Sequence, residues 1–128
     1  MAKGSRIVLV EDDVHILELL RHVLAGQGYE VATAKDGEEG LAEVLRVRPD
    51  LLITDVVMPR KNGYQLVHAL LNDYHDLPTP KIIILTSRND PAGIKTGLTV
   101  GADVYIGKPF DIQEVVSHVA ELLDGRAA

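Results

Sequence analysis

A chain of 128 residues has the length of one domain and is long enough to bury a core. Hydrophobic residues at 46% and charged residues at 25% exclude a disordered chain; the lack of cysteine excludes disulfides and thiolate metal sites and suits a reducing compartment. The net charge of −6, with no Lys/Arg cluster interleaved with aromatics, argues against direct nucleic-acid binding.

Aromatics make up only 4% of the chain and tryptophan is absent, so the core has to be aliphatic. Ile7-Val8-Leu9-Val10 is a continuous apolar run, the pattern of a strand buried on both faces, and it stops at Glu11-Asp12-Asp13. Ile16, Leu17, Leu20, Val23 and Leu24 then recur at helical spacing until Gly26 and Gly28. Tyr29 to Ala34 reads as a weaker strand nearer an edge. Asp36-Gly37-Glu38-Glu39 reads as a turn followed by an acidic first helical turn, which suits the helix dipole. Leu41, Val44 and Leu45 give that helix its buried stripe, and Pro49 ends it. Leu51-Leu52-Ile53-Thr54 is a second apolar strand that closes on Asp55, with turn signals at Pro59 and Asn62-Gly63. Leu66, Val67, Leu70 and Leu71 mark a third helix, closed by Pro78-Thr79-Pro80. Ile82-Ile83-Ile84-Leu85 is the most apolar strand and ends on Thr86-Ser87. Asp90-Pro91 opens a fourth helix whose Gly93, Gly97 and thin stripe of Ile94 and Leu98 predict a marginal element. Val104-Tyr105-Ile106 is a short strand ending at Lys108-Pro109. Asp111 caps a last helix with a clear apolar face: Ile112, Val115, Val116, Val119, Leu122 and Leu123.

Strand–helix repeated five times predicts an α/β fold with a parallel sheet and helices on both faces. The expected form is a doubly wound, five-stranded, flavodoxin-like sheet with strand order 2-1-3-4-5. No repeat, low-complexity tract or linker interrupts the chain. The expectation is one domain over 1–128, with its core at about 6–124 and no output domain. No apolar run approaches the roughly 20 residues that span a bilayer. Met1 to Arg6 shows no signal-peptide core, so a cytoplasmic protein without membrane insertion is expected.

Four strands end on polar residues: Glu11-Asp12, Asp55, Thr86 and Lys108. A parallel sheet puts all four ends at one edge, where open α/β sheets bind ligands. Carboxylates packed together repel one another unless a hard cation is present. Mg²⁺ takes oxygen ligands and typically one or two carboxylates, and Asp12 and Asp55 suit it, with Glu11 ordering a metal-bound water. A carboxylate accepts a phosphoryl group as an acyl phosphate. Transfer then needs charge neutralisation, which the Lys108 ammonium supplies together with the cation, and the Thr86 hydroxyl is placed to donate to a phosphoryl oxygen. Each residue has a plainer reading. An acidic triplet after a strand is often only a helix cap, a lone Asp at a strand end is usually a turn residue, and Lys108 before Pro109 is commonly solvated. The joint pattern is far more specific than any member. His15 and His22 lie about 10 Å apart along one helix, too far to share an ion.

On these residues the chain resembles the receiver domain of bacterial two-component response regulators. The match rests on Glu11-Asp12, on Asp55 with Met58-Pro59 and Gly63, and on Thr86, Tyr105 and Lys108-Pro109-Phe110. The resemblance implies a phosphorylation-activated switch and not a metabolic enzyme, catalysing only its own phosphotransfer and autodephosphorylation. Asp55 would take a phosphoryl group from the phosphohistidine of a histidine kinase or histidine phosphotransfer protein. Mg²⁺ would be held by Asp12, Asp55 and the backbone carbonyl of Val57, with Glu11 acting through water. The Lys108–Pro109 peptide would be cis. Thr86 and Tyr105 would move on phosphorylation and alter the surface of the fourth helix, fifth strand and last helix. A downstream protein target is implied, as is a monomer or a phosphorylation-dependent dimer.

By the same resemblance Val57 and Arg88 would tune hydrolysis of the acyl phosphate. Val57 has no polar group to orient water and Arg88 is bulky, so slow autodephosphorylation is expected. The last helix carries Gln113, Glu114, Ser117, His118 and Glu121 but no Arg before Gly125. That fits poorly with receivers joined to winged-helix DNA-binding domains, so a stand-alone receiver, or one from another architecture, is expected. Three rivals remain at this stage. An aspartyl-nucleophile phosphatase usually places its nucleophile on the first strand with a second Asp two residues on, where this chain has Val57. A flavodoxin-like binder wants a hydroxyl- and glycine-rich loop where this chain has three carboxylates. The third rival is a degenerate receiver serving only as a scaffold.

Overall fold

The computed structural model describes residues 4–56, 62–74, 78–86 and 101–124. Within them lie strands β1 (Arg6–Val10), β2 (Glu30–Ala34), β3 (Leu51–Thr54), β4 (Lys81–Thr86) and β5 (Val104–Gly107). The helices are α1 (Val14–Gly26), α2 (Gly37–Val47), α3 (Gly63–Asn72) and α4 (Ile112–Asp124). The helix expected from Asp90, with Gly93, Ile94, Gly97 and Leu98, lies outside the described residues, as do Val57, Met58, Pro59 and Arg88.

All strand pairs are parallel, in the order β2-β1-β3-β4-β5 that the alternating pattern predicts. The period of two divides each central strand between two cores. Ile7, Leu9, Leu51, Ile53, Ile83 and Leu85 meet Leu17, Leu20 and Leu24 of α1 and Val115 and Val119 of α4. Val8, Val10, Leu52, Ile82 and Ile84 meet Val44 of α2 and Leu66, Val67 and Leu70 of α3. β2 is an edge strand with only partial burial, as its thinner composition implies.

Local chemistry sets the helix ends. Asp13 caps α1 and accepts from the amides of His15 and Ile16. Asp36 caps α2 through Glu39 N. Asn62 and Gln65 form a reciprocal capping box on α3. Asn62-Gly63 therefore starts a helix, where the dipeptide alone reads as a turn. Pro49 ends α2 as expected, but the cap before it is Arg48 at φ 52, a left-handed position usually given to Gly or Asn. α2 lies close on the sheet because Gly40 has no side chain: a Cβ there would meet Val10 Cγ2 at 2.8 Å.

Candidate functional site

The register of the sheet builds the site. Val10 pairs with Thr54, so Glu11 and Asp55 are the next residues on adjacent strands. Thr86 pairs with Gly107, which puts Lys108 just beyond the end of β4. Lys108 N donates to the Thr86 carbonyl at 2.7 Å, and the Lys108–Pro109 peptide is cis. From there the lysine side chain crosses the end of β4 toward β3 and β1. Its Nζ donates to Asp55 Oδ2 at 2.8 Å and to Glu11 Oε1 at 2.7 Å.

Glu11 is 1% exposed and Asp55 6%, whereas Asp12 faces solvent. The other oxygens are also engaged. Asp13 N donates to Glu11 Oε2 at 3.0 Å, and Val56 N donates to Asp55 Oδ1 at 2.6 Å. The acidic triplet thus divides its labour: Glu11 is buried in the cluster, Asp12 stands at its rim, and Asp13 caps α1. Carboxylate oxygens of Glu11, Asp12 and Asp55 lie within 4.8 Å of one another, the one such acidic group among the described residues.

Among the described residues charge is unbalanced here, with one ammonium against three carboxylates. Burial pushes the Glu11 carboxyl from 4.5 up to about 7, against the hydrogen bonds from Lys108 and Asp13 and with the added repulsion of Asp55. Burial also opposes the charge on Lys108, but its bonds to Asp55 and Glu11 outweigh that and hold its pKa above the ordinary value. A cluster of hard oxygen donors with excess negative charge fits a divalent cation such as Mg²⁺.

Sequence reasoning thus named Glu11, Asp12, Asp55 and Lys108, and the fold brings all four together. Thr86 is fully buried at the end of β4, and Tyr105 is partly buried on β5 beside the core under α2 and α3. The expected Val57 carbonyl ligand and the expected rate-tuning pair Val57 and Arg88 fall outside the described residues. One contributor was not anticipated: the buried Thr54 hydroxyl donates to the Asp55 carbonyl at 2.9 Å. Gly63, already singled out downstream of Asp55, stands at the start of α3 and lies against that same carbonyl. A cavity of about 420 Å³ opens at the opposite edge of the sheet, near Leu45, Pro49 and Tyr74. Among the described residues its one carboxylate, Asp50, already accepts from Arg6 N at 2.9 Å, so they form no comparable cluster there.

The chain matches the response regulator receiver domain family over residues 7–120. The response regulator MprA of Mycobacterium leprae is 42% identical over 118 residues, which is 92% of this chain and 50% of that protein. MprA of Mycobacterium avium is 40% identical over the same share of each. The chain therefore spans about half the length of the curated relatives it matches. Among solved structures, the receiver domain of a signal transduction histidine kinase from Syntrophus aciditrophicus superposes with a TM-score of 0.85 at 38% identity. That match covers 95% of this chain and 92% of the other. Chemotaxis protein CheY4 of Vibrio cholerae gives 0.85 at 32% identity, covering 94% and 99%.

Proposed function

The chain belongs to the response regulator receiver family of two-component systems, and from that premise we propose that Asp55 is the residue that is phosphorylated. The observation that carries this is the Lys108 ammonium bridging Asp55 Oδ2 and Glu11 Oε1 at the carboxyl edge of the sheet. A carboxylate oxygen of Asp55 attacks phosphorus, and the P–N bond of a phosphohistidine breaks. The bonding pair returns to the imidazole nitrogen, and an aspartyl phosphate forms. The oxygen that attacks is one that now accepts from Val56 N or from Lys108 Nζ. Lys108 then turns to the incoming phosphoryl oxygens as a point charge, and the Thr86 hydroxyl donates to them.

Asp12, Asp55 and the Val57 carbonyl would hold Mg²⁺, with Glu11 behind them through water. When bound, the ion supplies positive charge against the phosphoryl group. The donor is the phosphohistidine of a histidine kinase or phosphotransfer protein. The domain is a signalling module and not a metabolic enzyme; loss of the phosphoryl group by its own hydrolysis, slowed by Val57 and Arg88, is part of the same reading. Movement of Thr86 and Tyr105 would pass the signal to a protein target, with the domain a monomer or dimerising on phosphorylation. No helix among the described residues is long and apolar enough to cross a membrane, and a cytoplasmic site of action is part of the proposal.

The test is intact-protein mass spectrometry after incubation with acetyl phosphate, with and without Mg²⁺. One phosphoryl group gained only with Mg²⁺, and lost in Asp55→Asn, is expected. No gain under any condition sinks the mechanism and leaves the scaffold reading.

A further inference from the structure

Asp55 sits where β3 stops pairing and the chain turns away. Its amide is still held by the sheet, donating to the Val10 carbonyl at 3.0 Å. Its carbonyl points elsewhere, into a clamp. On one side is the Thr54 hydroxyl, on a fully buried side chain, donating at 2.9 Å. On the other is Gly63: an added Cβ there would collide with the Asp55 carbonyl oxygen and lie 2.9 Å from the carbonyl carbon and 3.1 Å from Val56 Cα. Gly63 N also donates to the Val56 carbonyl at 3.1 Å, tying the start of α3 to the residue after Asp55.

We propose that Thr54 is a positioning residue for Asp55, its buried hydroxyl locking the Asp55 peptide against Gly63 so that the carboxylate faces Lys108 and the acidic cluster. Valine would serve as well as threonine for packing in a fully buried, β-branched strand position. The hydroxyl is the part that packing does not need, and it is spent on the one peptide whose orientation sets the direction of the Asp55 side chain. Gly63 then has a role besides opening a helix, since it leaves the space into which the clamped carbonyl fits. This inference rests on the reading of Asp55 as phosphoacceptor, but it concerns the preceding residue, which does not touch the reacting atoms.

The experiment compares Thr54→Val, which keeps shape and removes the hydroxyl, with Thr54→Ser, which keeps the hydroxyl. Phosphorylation by acetyl phosphate at saturating Mg²⁺ is followed by intact mass. In Thr54→Val the maximal rate is expected to fall about tenfold or more, with half-saturating acetyl phosphate unchanged, because a misplaced nucleophile costs rate and not donor affinity. Thr54→Ser is expected to restore most of the rate. Gly63→Ala attacks the clamp from the helix side and is expected to lower the maximal rate likewise, so the test survives if one variant fails to unfold cooperatively. Wild-type rates in folded Thr54→Val, or a Thr54→Ser variant as slow as Thr54→Val, overturn the proposal. If the wild-type chain itself takes no phosphoryl group, the Asp55 reading has failed. Positioning is then read alone, from the Mg²⁺ midpoint of the Val56 amide shift by NMR: a weaker midpoint in Thr54→Val supports it and an unchanged one overturns it.

Discussion

Two kinds of ion pair stand at nearly the same distance in this molecule. On α1 and α2, Arg21 meets Glu18 at 2.9 Å and Arg46 meets Glu43 at 2.7 Å. At the sheet edge Lys108 meets Glu11 at 2.7 Å and Asp55 at 2.8 Å. Yet the carboxyls respond in opposite directions. The arginine hydrogen bonds hold Glu18 and Glu43 below their ordinary values, while burial pushes Glu11 up to about 7. Solvent makes the difference. The Glu18 side chain is 54% exposed, and water already stabilises its charge; the Glu11 side chain is 1% exposed and, among the described residues, has Lys108 alone as a cation at hydrogen-bond distance. Contact distance therefore says little about what a pair does. The helical pairs decorate a surface, whereas the edge cluster holds a charge conflict that a cation can relieve.

Lys108→Ala is the sharpest way to break that comparison. It strips the counter-charge from two buried carboxylates, and leaving such groups unpaired costs about 3–5 kcal/mol. In chelator at pH 8 the thermal midpoint is expected to fall by roughly 10 °C or more. Mg²⁺ should return part of the loss, because it supplies positive charge to the same oxygens. A midpoint within about 2 °C of wild type would place the Lys108 pairs with the surface pairs and dissolve the distinction.

The fold was legible because its signals are redundant. Ile7–Val10, Leu51–Ile53 and Ile82–Leu85 are uninterrupted apolar runs, and polar residues ending each run mark one edge of the sheet. The four charged members of the site were legible for the same reason: parallel strands bring their carboxyl ends together wherever the register falls. Fine geometry was not. Nothing in the composition of Glu11-Asp12-Asp13 says which carboxylate is buried and which caps α1, since that depends on where the helix begins. Asn62-Gly63 reads as a turn, because the dipeptide has the same local chemistry in a turn and in a capping box. Thr54 reads as one more β-branched strand residue, and its hydroxyl gains meaning only once the Asp55 carbonyl has swung out of the ladder. The Arg48 cap broke the glycine rule, so periodicity and Pro49, not the cap, had to locate the end of α2.

pH offers a second, intermediate test. Folding raises the Glu11 pKa from 4.5 to about 7, so the cation-free folded state binds this proton more tightly than the unfolded chain. The stabilisation is fully present below about 4.5 and is lost as pH rises through about 7. In chelator, wild-type stability is therefore expected to decline from pH 5 to pH 8 by more than that of Glu11→Gln, which carries no titrating group at this position. Parallel pH curves for the two proteins, measured by thermal or urea unfolding, would show that Glu11 is as well solvated as Glu18.

The smallest effect is expected at the surface pair itself. Glu18→Gln leaves Arg21 in water, where it needs no partner, and should move the thermal midpoint by less than about 2 °C. Even that shift should vanish at 1 M salt, where the screening length is only about 3 Å. The Lys108→Ala loss should largely persist there, because salt screens buried charges far less than exposed ones. Salt thus separates the two classes of pair independently of how large either effect is. Equal salt sensitivity in both variants would mean that solvent enters the sheet edge freely, and burial would then no longer explain why Glu11 and Glu18 differ.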